Sequence, residues 1–134
     1  MPDRLSYPSD LVEACRDNCD ALLAAWAAND VEDGTLESLV FAQAVVVLHA
    51  WFADRGPARV GTGTNALLEV RAVADSVTAN DGVLRVPAGA EWLPERSVLR
   101  LAVGDEVTVT ANGFERLASA YLGAIELAYA EPLG

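Results

Sequence analysis

From Leu39 to Ala53 the chain is apolar except for Gln43 and His49, and no Asp, Glu, Lys or Arg interrupts the run. Such a segment needs cover from water, because burying one large aliphatic or aromatic side chain is worth about 1.5–3 kcal/mol. Thr35 ahead of the run is a helix-capping residue type, and Gly56-Pro57 stops a helix, so a helix is predicted from Thr35 to about Asp54. Its apolar positions go nearly all the way round, which places it at the centre of its own domain or in a contact between subunits. Val46, Val47 and Trp51 are accordingly expected to be hidden from water. The run falls short of the roughly 20 residues that cross a bilayer, so no membrane span is expected.

The flanking segments supply the cover. Ser9 can cap a helix over 9–28 in which Leu11, Cys15, Cys19, Leu22 and Trp26 recur at steps of three and four, with Glu13, Arg16, Asp17 and Asp20 on the other side. The short link Asn29 to Gly34 predicts that this helix and the apolar one pack as an antiparallel hairpin. Over 66–79, Leu67, Val70, Ala74 and Val77 follow helical steps behind Thr64 or Asn65 as cap; the same residues also fit an alternating strand, and helix is the favoured reading.

After Asn80-Asp81-Gly82 the preferences change. The runs VLRVP, SVLRLAV and EVTVTA are rich in β-branched and alternating residues, and Gly104-Asp105 has the form of a two-residue hairpin loop. These features predict a short antiparallel β-meander. Asn112 with Glu115 has the spacing of a capping box, and Phe114, Leu117, Tyr121, Ile125 and Ala128 form one stripe of a helix over 113–130. The expected fold is thus one α+β domain over 1–134: an N-terminal helical hairpin, a third helix, the β-meander and a C-terminal helix.

Charge narrows the partners. With 20 acidic against 9 basic residues the formal net charge is −11, which repels phosphate backbones and anionic lipid heads. Nucleic acid and membrane are therefore not expected as partners, whereas a basic protein would be attracted. Every basic residue is Arg, a bias consistent with a GC-rich coding sequence or with adaptation to high salt. The opening MPDRLSYPSD lacks the basic-then-apolar pattern of a secretory signal. Cys15 and Cys19, a turn apart on one helical face, read as core thiols, and a cytoplasmic location is expected.

Few residues offer chemistry. His49, the one histidine, falls on the helical projection beside Ser38, Ala42 and Ala53, where a groove could lie. Gln43 projects among Leu36, Leu39, Val47 and Ala50, the face expected to be buried, where its amide would need partners. Arg59 precedes Gly61-Thr62-Gly63-Thr64-Asn65, whose backbone N–H groups could meet an anion at a helix start, although the Lys of a P-loop and the third Gly of a dinucleotide fingerprint are missing. Trp92 stands in an irregular link, where an indole can anchor a partner. His49, Gln43, Arg59 and Trp92 form the candidate ligand-binding set. Cys15, Cys19 and His49 are too few and wrongly spaced for a strong zinc pattern, so no metal or cofactor is expected.

The stretch VTVTANGFERLASAYLGAIELA resembles in outline the strand, turn and helix that carry the phosphorylatable serine in STAS domains of anti-sigma-factor antagonists. The resemblance implies Ser119 as that serine, and Ala118 stands where the family has an acidic residue. The residues themselves spell no catalytic constellation. The expected function is a non-catalytic interaction or regulatory protein, an acidic inhibitor of a basic partner acting as a small homo-oligomer; the alternative is a small-molecule binder or small enzyme with a pocket around His49 and Gln43.

Overall fold

The computed structural model describes residues 9–30, 32–53 and 65–129. They form four helices, α1 (Ser9–Asn29), α2 (Gly34–Ala53), α3 (Ala66–Ala79) and α4 (Ala111–Tyr129), with a single 3₁₀ turn at Pro94–Arg96. Among the described residues there is no strand, so the expected α+β fold with a β-meander is corrected to an all-helical one.

Short polar side chains start three of the helices. The Asp33 carboxylate accepts the Leu36 N–H at 3.1 Å, two residues ahead of the Thr35 cap that was expected. Asn65 caps α3 by accepting the Leu68 N–H at 2.9 Å, one of the two caps foreseen. Thr110 caps α4 through the Gly113 N–H at 2.9 Å, so this helix begins before the Asn112–Glu115 pair read as its capping box. Each such bond satisfies a backbone donor that the first turn of a helix leaves without an intrahelical acceptor. Gly113 suits this crowded start, because a Cβ there would lie 3.1 Å from Leu99 Cδ2.

The helices do not pack in the order they are joined. α2 lies mainly against α3, α1 against α4, and α4 also touches both α2 and α3. The expected packing of α1 against α2 as a hairpin is therefore corrected: the two helices share a short link, but α1 rests mainly on α4 and meets α2 at Trp26 and Phe41. Aromatic rings tie the layers. Phe41 on α2 meets Trp26 of α1 and Phe114 of α4, each at a centroid separation of 5.5 Å, and Phe52 meets Tyr121 at 5.9 Å. Phe41, Leu48, Leu68, Leu84, Phe114, Leu117 and Leu122 are fully buried in the core.

Residues 80–110 show why strand preference did not become a sheet. Leu84, Leu101, Val107 and Val109 are buried, so the alternation is real, but it serves to drape a coil over the helices. One antiparallel bridge forms, between Val83 and Glu106. It is flanked by bonds from Leu84 N–H to Asp105 O, Gly104 N–H to Leu84 O and Val107 N–H to Gly82 O. Pro87 has no N–H to extend the ladder, and positive φ at Gly89 (85°) and Arg100 (59°) turns the chain away. Gly104 has φ 96° as the third residue of a turn closed by Asp105 N–H to Ala102 O, so the central pair of the turn is Val103-Gly104 rather than the expected Gly104-Asp105.

Side chains do for this coil what a sheet ladder would have done. Glu69 on α3 is 0% exposed and accepts from Ser97 Oγ at 2.7 Å, Val98 N–H at 2.8 Å and Leu99 N–H at 3.0 Å. Ser97 Oγ in turn accepts the Leu101 N–H at 3.1 Å. Ser76 accepts the Arg85 N–H at 3.0 Å. From α2, Ser38 accepts the Val109 N–H at 3.2 Å and Glu37 the Ala111 N–H at 2.7 Å, which fixes the entry to α4.

Candidate functional site

α2 buries Phe41, Ala42, Ala44, Val45, Leu48 and Phe52. Its opposite side is open, with Leu36, Leu39 and Val47 exposed to 43%, 62% and 51% and Gln43 and Ala50 exposed between them. The expectation of a fully covered helix is corrected accordingly: Val46 and Trp51 are half-buried, and Val47 faces solvent. Gln43 is likewise not a buried amide but a polar residue on an apolar, solvent-facing stripe. Counted from Gly34 to Phe52 rather than from Leu39, α2 is, among the described residues, one helix long and apolar enough by length and composition to cross a membrane, a test that the core helix of a soluble protein also passes.

Beside this stripe a groove of about 360 Å³ opens between α1 and α2. α1 contributes Asn18, Cys19, Ala21 and Leu22; α2 contributes Ala44, Val47, Leu48 and Trp51; Phe114 of α4 forms the base.

Electrostatics divide α1 along its length. At 100° per residue, Leu11, Ala14, Asn18, Ala21, Leu22 and Ala25 follow one another on the groove side. Arg16 and Asp20 fall on the side towards α4, where with Glu115 they line a smaller cavity of about 150 Å³ and Arg16 pairs with Glu126 at 3.1 Å; Asp17 is exposed on the outer side of α1, about 40° round the helix from Ala21. α2 carries no formal charge between Glu37 and Ala53, and Glu37 is committed to the start of α4. The residues lining the groove carry no formal charge, and Asp17 stands at its α1 margin.

The candidate ligand set does not converge. His49 is half-buried on α2, and six residues of helix turn it about 120° from Gln43. Neither lines the groove. The Trp92 indole donates to the Leu101 carbonyl at 2.8 Å, so it staples the coil rather than standing free as an anchor. Arg59 and Gly61 to Thr64 lie outside the described residues. Cys15 and Cys19 are buried free thiols; the hydrogen bond to Cys19 and then burial push Cys15 far above the ordinary thiol range. Accepting that bond lowers Cys19. No group of three or more His, Cys, Asp and Glu suited to a metal occurs among the described residues, so His49 does not complete a site with the two cysteines.

Two features escaped the sequence reading. The exposed stripe was implicit in the all-round apolarity of α2, since a helix with few neighbours cannot cover every face. Glu69 could have been found by spacing: Glu69, Val73 and Ser76 share one helical face, and both polar members are buried.

Compared with protein-family models, curated proteins and solved structures, the chain matches none. The STAS outline also lacks its strand, because residues 107–110 are irregular; Ser119 is an exposed residue of α4 at the smaller cavity.

Proposed function

We propose that this chain is a non-catalytic interaction protein that binds another polypeptide along the α1–α2 groove. The observation that carries this reading is the uncharged apolar stripe Leu36, Leu39, Val47 beside an apolar groove. Single exposed hydrophobic residues are ordinary, but three on one side of one helix next to an apolar groove fit an interaction surface. Its length favours a polypeptide, because the stripe runs past the groove along most of α2, further than a small molecule reaches.

The enzyme or small-molecule alternative gains less. A ligand pocket combines apolar walls with a few convergent polar groups, and His49 and Gln43 diverge. Attraction of a basic target, expected from the −11 charge, would act through carboxylates outside the groove lining, Asp17 at the α1 margin among them.

A photo-crosslinking residue at position 43 tests the reading in native extract. The expected result is a polypeptide adduct that is lost when Leu39→Asp is added. Absence of any polypeptide adduct, together with a raised melting temperature on adding a small apolar compound, would overturn it in favour of the small-molecule alternative.

A further inference from the structure

Independently of what fills the groove, we propose that Cys19 is a peroxide-reactive thiol and Cys15 its resolving partner, the two closing a reversible disulfide within α1.

Placement separates the two sulfurs. Cys15 and Cys19 stand four residues apart on α1, so they share one face a turn apart, and both are free thiols. Cys15 is 0% exposed and Cys19 7%. Cys15 lines neither the groove nor the smaller cavity, whereas Cys19 lines both, the first towards α2 and the second towards α4. A polypeptide lying in the groove therefore leaves the second approach open. That cavity holds about 150 Å³, against roughly 30 Å³ for one water molecule, so a hydrogen peroxide of about two waters' bulk fits. Its walls offer the molecule donors and acceptors, Arg16 and Ser119 beside the carboxylates of Asp20 and Glu115. A thiol that only fills a core borders no cavity; Cys19 borders two.

The bond between the thiols sets their roles. Cys15 donates its S–H to Cys19, and the thiolate is the form that attacks. Accepting that bond favours the Cys19 thiolate, with Arg16 acting the same way and burial and Asp20 against it. In the first step Cys19 Sγ bonds to one oxygen of hydrogen peroxide and the O–O bond breaks. Hydroxide leaves and takes up the thiol proton as water; the sulfur is oxidised to a sulfenic acid and the peroxide is reduced. In the second step Cys15 Sγ attacks Cys19 Sγ. The S–S bond forms, the S–O bond breaks, and the oxygen leaves with the Cys15 proton as a second water.

Helix geometry makes the product labile. Residues four apart on a helix hold their Cβ atoms about 5–6 Å apart, and a disulfide holds them at about 3.5–4.5 Å. Closure must tighten this turn of α1, and such strain makes a disulfide easy to reduce.

Hydrogen peroxide added to the reduced full chain, with intact mass and peptide mapping of the product, tests the assignment. The expected result is the loss of two hydrogen atoms, with Cys15 and Cys19 joined within one chain and both thiols restored by reduced glutathione. Cys15→Ser keeps a donor beside Cys19 and should stop at one added oxygen on Cys19, trapped by dimedone. Cys19→Ser should lose the reaction. Brief peroxide exposure of the unaltered chain with dimedone present assigns the first attack without any variant, and the adduct is expected on Cys19. If both thiols survive peroxide in the folded chain and react only in urea, they are sealed core residues and the inference falls. A first adduct on Cys15, a sulfenic acid that never becomes a disulfide, or a disulfide between two chains would each overturn it as well.

Discussion

Glu69 shows how one residue can organise a long segment. A carboxylate fully removed from water is costly unless its oxygens are met by donors, and here three donors from Ser97, Val98 and Leu99 converge on it. Two of them share Oε2, and Val98 alone bonds Oε1. Glu69→Gln keeps the shape but can satisfy at best one of these two positions, setting an NH₂ donor against a backbone N–H at the other. The expected cost is about 1–3 kcal/mol, read as a lowered urea midpoint. An unchanged midpoint would show that the coil is held by its apolar residues instead.

At the scale of elements, the helices owe their starts to single polar residues and their packing to apolar stripes. Asn65 is the clearest case: Asn65→Ala removes the acceptor of the Leu68 N–H and should cost about 1 kcal/mol, measured by thermal or urea unfolding, while Asn65→Asp should be close to neutral. Equal losses for both variants would show that the cap acts through something other than its acceptor. The helical stripes were legible in the sequence. Phe114, Leu117, Tyr121 and Ile125 are all buried on α4, and the helix read over 66–79 is α3. The strands were not, because β preference describes a residue's fit to a half-buried pleated surface, and a strand also needs a partner segment with free backbone groups. In 80–110 those backbone groups bond to Glu69, Ser76, Ser97 and Ser38 instead.

For the whole molecule, the sign of the salt dependence separates the available partners. In a complex whose contact is the uncharged groove lining, screening has no ion pair to weaken, even though the Debye length shrinks to below about 10 Å above 0.1 M salt. The dissociation constant of the polypeptide captured at position 43 is therefore expected not to rise as NaCl goes from about 50 mM to about 500 mM, followed by sedimentation. A constant that rises over the same range would place attractive charge pairs across the contact.

The sequence by itself determined where the helices lie, that α2 is the most apolar of them, and that the surface is acidic, because these follow from side chains within a turn of one another and from a sum over the chain. It did not determine which side of α2 faces water. A helix apolar all round carries no direction, so its pattern alone puts Gln43 on the covered face and allows, as the alternative reading, a pocket around His49 and Gln43. Only the tertiary structure decided that α1 leans on α4, that α3 and α4 cover the opposite side of α2, and that Leu36, Leu39 and Val47 are left open. Those choices rest on contacts between residues distant in the chain, whose energies depend on how well whole surfaces fit, and periodicity along one segment holds no record of the surface it will meet.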